Sequence, residues 1–354
     1  MEKSSTGHPR SRATKKSNQV RQLKFGVRLP NSGPLANRAN IVQVADEAER
    51  LGFHSVWVHD HILWGTEQHR THLSAGSAEA LDESQRPNFY ESITTLSYIA
   101  GRTKRLKVGI AVIVLPLRNP IVLAKQLANL DVMSEGRLIV GVAPGAANIT
   151  KSEFEAIGAP YEERGKVTDE YIASIRKMWS DNLPSFSGRY VNFKEVQMFP
   201  KPTQKNPMIL IGGGERGISP KALRRVVELG DGWIPAYLTP EEASEGIATI
   251  SKAVSAAGKD STEYFVAHEM FTSLNTNSQN AAQSAAKSLS TNFVTVEEGL
   301  KRSLVGDPRE LIEKIKLYEK AGVNMTELKW MYSSIPELLE MMNLFANEVL
   351  PAFD

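Results

Sequence analysis

The sequence contains no cysteine. That absence excludes disulfides, thiolate metal sites, iron–sulfur clusters and a thiol nucleophile at once. Long apolar runs are missing as well. The longest, Val108 to Leu115, falls far short of the roughly 20 residues a membrane helix needs. No charged-then-apolar leader opens the chain, so a soluble, cytoplasmic protein is expected. The G-x-x-x-x-G-K-[ST] phosphate loop and the G-x-S-x-G nucleophile elbow are absent too. Histidine runs out early: beyond His72 only His268 remains.

What is present is ordinary globular material. Over 354 residues the chain is 41% hydrophobic and 23% charged, which excludes fibrous, collagen-like and wholly disordered classes. Length alone suggests two domains of about 150 residues, yet one eight-fold β/α barrel also spans roughly 200 to 400 residues. The net charge of +2 hides an asymmetry. Residues 1–22 hold six basic side chains (Lys3, Arg10, Arg12, Lys15, Lys16, Arg21) against Glu2, so the remainder is mildly acidic. With almost no apolar residues, that segment cannot offset its own ordering entropy and reads as a disordered basic extension. The other reading of such charge, an arm for nucleic acid or anionic lipid, has no interleaved aromatics to support it. The expected partner is a small molecule, with neither nucleic acid nor membrane.

From Lys24 onward, short β-branched runs alternate with longer amphipathic stretches. Eight strand-like runs stand out: Lys24–Leu29, Ser55–Asp60, Leu106–Leu115, Arg137–Ala143, Met208–Ile211, Gly232–Tyr237, Tyr264–Leu274 and Met325–Tyr332. Helical patterns lie between them; in 37–51, Ile41, Val44, Ala45, Ala48 and Leu51 form one apolar stripe. Gly52, Gly230 and Gly322 each follow such a helix, where a glycine can take the left-handed stop. Eight strands each followed by a helix predict a parallel sheet, and the number eight predicts closure. The expected fold is a (β/α)8 TIM barrel over residues 23–354. Two excursions interrupt it: a long polar insertion, Ile62–Asn88, after strand 2, and a small β-ribbon within Pro184–Pro207 before strand 5.

Barrel active sites lie at the C-terminal ends of the strands. The second strand ends Val56-Trp57-Val58-His59-Asp60-His61. An Asp-His pair there can hold a ring nitrogen or shuttle a proton at neutral pH; the plain alternative is a hydrogen-bonded pair that pins the next loop. His59 and His61 share one face, as a metal-binding HxH would, but later strand ends supply no clear set of further ligands, so no metal is expected. After strand 5 comes Ile211-Gly212-Gly213-Gly214-Glu215-Arg216-Gly217. It matches G-x-G-x-x-G, yet four β/α units precede it and Asp231 comes before the next strand instead of ending it, unlike a dinucleotide fingerprint. A phosphate cradle at a helix N-terminus and a tight βα turn are the two readings left. Arg216, Arg224 and Arg302 are candidates to add charge to that phosphate.

Several segments resemble the luciferase-like superfamily of flavin- and deazaflavin-dependent oxidoreductases, in particular the branch that uses coenzyme F-420 (F420). They are Lys24-Phe-Gly-Val27, Leu115-Pro-Leu-Arg-Asn-Pro120, Leu130-Asp-Val-Met-Ser134, Glu153-Phe154 with Gly158, Glu163-Arg-Gly165, Pro200-Lys-Pro202, Ile211-Gly-Gly213 and Gly230-Asp-Gly-Trp233. The resemblance runs from Phe25 to about Val349. It implies a deazaflavin or FMN ring in the barrel mouth, a cofactor phosphate near Gly212, Gly213 and Gly214, and a homodimer. It further implies a cis non-proline peptide behind the ring, by position near Ala111-Val112. By the same analogy Asp60 contacts the deazaflavin, His61 transfers the proton and Arg302 approaches the phosphate tail. Trp64, one place nearer the pair than in the family pattern, would contact substrate. The acid that follows the fourth strand in related sugar-phosphate dehydrogenases is missing from Gly141-Val-Ala-Pro-Gly145-Ala-Ala-Asn148, which argues against sugar-phosphate oxidation. Hydride transfer between F420 and a small organic substrate is the leading expectation. A monooxygenase using reduced FMN and a non-catalytic flavin-binding barrel are the alternatives.

Overall fold

Eight parallel strands close on themselves in the computed structural model, which describes residues 22–63, 88–146, 150–214 and 216–354. In chain order they are β1 (Lys24–Arg28), β2 (Ser55–Val58), β3 (Lys107–Val114), β4 (Leu138–Ala143), β5 (Met208–Gly212), β6 (Gly232–Ile234), β7 (Phe265–Leu274) and β8 (Met325–Trp330). Each pairs with its neighbours in sequence, and β8 returns to β1 through Lys24↔Met325 and Gly26↔Glu327. The (β/α)8 barrel expected from the periodicity is therefore present.

Among the described residues the helices are α1 (Arg38–Arg50), α2 (Ser92–Arg102), α3 (Pro120–Met133), α4 (Lys151–Ile157), α5 (Arg164–Ser180), α6 (Pro220–Glu228), α7 (Pro240–Ala256), α8 (Ser278–Asn292), α9 (Val296–Lys301), α10 (Pro308–Ala321) and α11 (Ile335–Glu348). Their starts are written locally. Asn119-Pro120, Ser219-Pro220, Thr239-Pro240 and Asp307-Pro308 each set a capping side chain before a proline at the first helical position. None of the described helices is long and apolar enough to cross a membrane.

The main sheet holds one strand more than those eight, and Ser32–Gly33 pairs antiparallel with Asn88–Phe89 outside it. A ninth strand, Leu304–Gly306, pairs with the far end of β7. Helices α4, α8 and α9 were not legible either. In α8 the buried positions are Ala281, Ala285, Ser288 and Leu289, so a single large apolar side chain marks its inner face. The β-ribbon is found as Phe186–Ser187 against Asn192–Phe193, its turn held by Glu170 accepting backbone N–H groups from Arg189, Tyr190 and Val191. Residues 1–21 of the basic extension (residues 1–22), most of the Ile62–Asn88 insertion and Trp64 lie outside the described residues. Of the three helix-stop glycines, Gly52 and Gly322 take positive φ but Gly230 does not. Its reason is space: a Cβ there would sit 2.6 Å from Ile211 Cγ1.

Period-two alternation sorts each strand into two environments. Outward residues such as Val27, Val56, Val58, Val108 and Ile110 pack on the helices and are wholly buried, each contributing about 1.5–3 kcal/mol. Inward residues form a small apolar layer of Trp57, Ala111, Ile139, Leu210, Ile234, Ala267 and Met325. Trp57 can lie across the barrel because Gly109 and Gly26 face it from the flanking strands. A Cβ on either would stand 2.4 or 2.5 Å from indole atoms. Above that layer the same alternation turns Arg28, His59, Glu269, Glu327 and Lys329 inward, toward the C-terminal mouth.

Candidate active site

A cavity of about 390 Å³ opens at the C-terminal ends of β2 to β7, a size typical of a small-molecule site. His59, Asp60 and His61 bound one side, Ala111 and Val112 another, and Gly212, Gly213 and Gly214 a third. The structure thus gathers most of the residues singled out above. It also shows what each of them does in the fold.

His61 keeps 17% of its side chain exposed, while its Nδ1 lies 2.8 Å from Glu153 Oε2 on α4. Asp60 is held differently. Its carboxylate accepts from Ser92 Oγ at 2.7 Å, from the Val114 backbone N–H at 3.1 Å, and from Arg118 in a bidentate pair at 2.6 and 2.5 Å. Those four bonds use its acceptor positions. Asp60 lines the cavity but ties β2 to the end of β3 and to α2 through its oxygens. Next to it, β3 slips register between Ile110 and Ile113, and the Ala111-Val112 peptide is cis. The cis peptide falls where the resemblance put it.

The glycine turn is open for a physical reason. Gly213 and Gly214 have φ of 129° and 107°, a region that favours glycine, and a Cβ on Gly214 would lie 2.6 Å from the Gly217 carbonyl oxygen. Backbone can therefore approach a ligand closely here, beside the N-terminus of α6, where Ser219 caps the Ala222 N–H. The expected arginines are placed elsewhere. Arg302 makes a bidentate pair with Glu242 at 2.5 and 2.7 Å and donates to the Tyr237 carbonyl at 3.1 Å. Arg216 is two-thirds exposed and pairs with Glu298 at 2.5 Å. Arg224 is half-exposed between Asp169 and Glu228. The guanidinium that lines this end of the cavity belongs to Arg225, buried and anchored to Asp169 and to the Gly165 carbonyl.

Toward the barrel axis the wall is ionic. Arg28 reaches Glu269 at 2.5 Å and bonds Glu327; its guanidinium also contacts the His59 ring. Tyr237 donates to Glu269 Oε1 at 2.5 Å and accepts from Lys329 Nζ at 2.8 Å. The two acids fare oppositely. Burial pushes Glu269 up, but Arg28 and Lys329 outweigh it and hold the carboxylate well below its usual range. Burial pushes Glu327 well above that range, opposed by Arg28 and reinforced by Glu269. Among the described residues, Glu327 Oε2 finds no hydrogen-bond partner. A folded-state pKa above the unfolded one adds stability below the ordinary carboxylate range and loses it as pH rises through the raised value. Glu327→Gln removes that titration. The stability of the variant relative to the native protein should therefore increase from about pH 5 to about pH 8, read from urea midpoints. A difference that stays constant across that window would refute the assignment. His268 plays no part here: burial pushes it down to about 3, and its Nε2 accepts the Leu238 N–H at 3.0 Å.

With this arrangement in view, comparison with known proteins is decisive on family. The luciferase-like monooxygenase family model matches residues 22–298. The chain belongs to the luciferase-like family. Members of that family are flavin- or F420-dependent oxidoreductases and monooxygenases. An FMNH2-dependent dimethylsulfone monooxygenase from Pseudomonas putida is 27% identical over 299 residues, covering 75% of this chain and 78% of the relative. An F420-dependent glucose-6-phosphate dehydrogenase from Amycolatopsis mediterranei is 30% identical over 200 residues, covering 55% and 52%. An F420-dependent secondary alcohol dehydrogenase, solved with an F420-acetone adduct, shares the fold with a TM-score of 0.77 at 19% identity, covering 94% and 99%.

Four parts of this luciferase-like enzyme's site escaped the sequence reading. Glu153 and Arg118 stand 92 and 58 residues from the groups they hold, and nothing local marks such pairings. Arg225 was passed over for its neighbour Arg224, because one residue on a helix decides which of the two is buried. The axial charges did leave a signal: Arg28, Glu269, Glu327 and Lys329 all occupy inward positions of otherwise apolar strands, where a charge must be paired.

Proposed function

We propose that this enzyme transfers hydride between bound coenzyme F-420 and a small organic substrate. One observation carries the reading: a single cavity joins the Ala111-Val112 bulge, His61 and the Gly212–Gly214 turn. These residues fit the cofactor. A Cβ on Gly214 would collide with the Gly217 carbonyl and Trp233, so the turn keeps its shape only with glycine, and it ends at a helix N-terminus suited to an anion.

When bound, the deazaflavin supplies the chemistry of a two-electron hydride acceptor or donor. The chain supplies the rest. Backbone N–H groups of Gly213 and Gly214 would hold the phosphate, with Arg225 as the nearby positive charge. Ala111 and Val112 would support the ring face. His61 would take or give the proton that accompanies the hydride. Asp60, clamped by Arg118, would keep the β2 and β3 ends at a fixed spacing so that His61 and the bulge stay in register.

A second reading is supported by the Pseudomonas relative, whose match covers more of the chain than that of the glucose-6-phosphate dehydrogenase. In it, reduced FMN and dioxygen place one oxygen atom in the substrate and release the other as water. Anaerobic titration with each cofactor, followed by absorbance and fluorescence, separates the two. Micromolar binding of F420 with none for FMN is the expected result. The reverse would overturn the first reading in favour of the second.

A further inference from the structure

Glu153 has no role in the function just proposed, yet both of its carboxylate oxygens are engaged beside the cavity mouth. Its side chain is wholly buried. Oε1 accepts the backbone N–H of Ile62 at 2.8 Å and of Leu63 at 3.1 Å. Oε2 lies 2.8 Å from His61 Nδ1. A backbone N–H can only donate, so the two amides fix which way the carboxylate faces. That leaves Oε2, an acceptor, against the imidazole. A neutral ring carries its proton on one nitrogen, and the partner of that nitrogen decides which.

We propose that Glu153 is a positioning residue that holds His61 in the Nδ1–H tautomer, so that Nε2 is the atom that exchanges a proton with a bound molecule. The carboxylate acts through the imidazole, by the same logic that lets a buried acid orient a catalytic histidine in hydrolases. It also anchors the first two residues of the Ile62–Asn88 insertion, so one side chain couples the ring's tautomer to the start of that segment. The proton-transfer role of His61 rests on the function proposed above. The tautomer does not, and it is measured without cofactor or substrate.

The experiment is a long-range nitrogen-15 to proton correlation spectrum of the full-length, cofactor-free protein. His61 is assigned as the ring missing from His61→Asn, and is observed once raising the pH has removed its second proton. The native protein should show the proton on Nδ1. In Glu153→Gln the two backbone amides still require the carbonyl oxygen, which turns the amide NH2 toward Nδ1. That nitrogen must then accept, and the proton should move to Nε2. Turnover of the loaded variant should fall by roughly 10²–10⁴-fold, with cofactor titration unchanged. A proton on Nε2 in the native protein overturns the proposal, whatever the variant does. An unchanged tautomer in a Glu153→Gln protein that melts like the native one overturns it as well. A switched tautomer in the variant, with the native protein inactive with either cofactor, would sustain this proposal and refute the function.

Discussion

Replacing His61 with asparagine should lower turnover by roughly 10²–10⁴-fold while leaving cofactor affinity largely intact. Asparagine keeps a short polar side chain at the end of β2, so the strand, the Asp60 clamp and the glycine cradle are all undisturbed. What it loses is a group that can both accept and release a proton near neutral pH. The cofactor-holding elements proposed above lie on β3, β5 and α6, and none of them uses His61. Affinity and turnover should therefore separate cleanly. The measurement is a stopped-flow rate for the redox step beside an equilibrium titration of the same preparation. Unchanged turnover would remove His61 from the chemistry, and a parallel loss of binding would make it a cofactor contact.

The second large effect is on stability. Arg28→Met should destabilise the fold by about 3–5 kcal/mol, because removing one partner of a buried ion pair leaves the other uncompensated. Here it strands two carboxylates. Glu269 and Glu327 lie side by side on β7 and β8, both bonded to the Arg28 guanidinium, and of the two acids Lys329 pairs with Glu269, at 3.5 Å. The double variant Arg28→Met, Glu327→Leu should recover much of that loss, since an apolar replacement of similar volume avoids the desolvation cost altogether. Urea unfolding of the three proteins tests both statements. A loss below about 1 kcal/mol in Arg28→Met would show that the cluster is well solvated from the cavity.

That expectation also bears on why charge sits here. A buried ionic cluster is weak evidence for stability, and a barrel interior is normally filled by branched apolar side chains. In this chain the lower interior layer obeys that rule, with Trp57 packed among Ala111, Ile139 and Leu210. The upper layer departs from it at the level where the cavity opens and where Glu269 and His59 line the wall. Such departures from local rules concentrate at functional sites.

The parts of the molecule legible beforehand were those governed by near neighbours. Strand and helix periods, capping pairs such as Asn119-Pro120, the glycine run after β5 and the Asp60-His61 pair at a strand end all follow from residues a few places apart. Where the local signal was thin, the reading failed: α8 buries alanine and serine beside one leucine, and the ninth strand of the main sheet is only three residues long. The arginines are a different case. Composition marks Arg216, Arg224 and Arg302 as positive, but whether a guanidinium meets a phosphate or an acid depends on which elements come to lie beside it. Arg302 met Glu242, and Arg225 reached the cavity instead.

By itself, then, the sequence determined an eight-unit barrel with a cysteine-free interior and a histidine at the mouth, because backbone periodicity and turn chemistry are short-range. Tertiary structure alone decided the partners: Glu153 for His61, Arg118 for Asp60, and Arg28 between Glu269 and Glu327. Those pairings join residues 58 to 299 positions apart, and only closure of the barrel brings their charges within bonding distance, where burial and Coulomb attraction set what each can do.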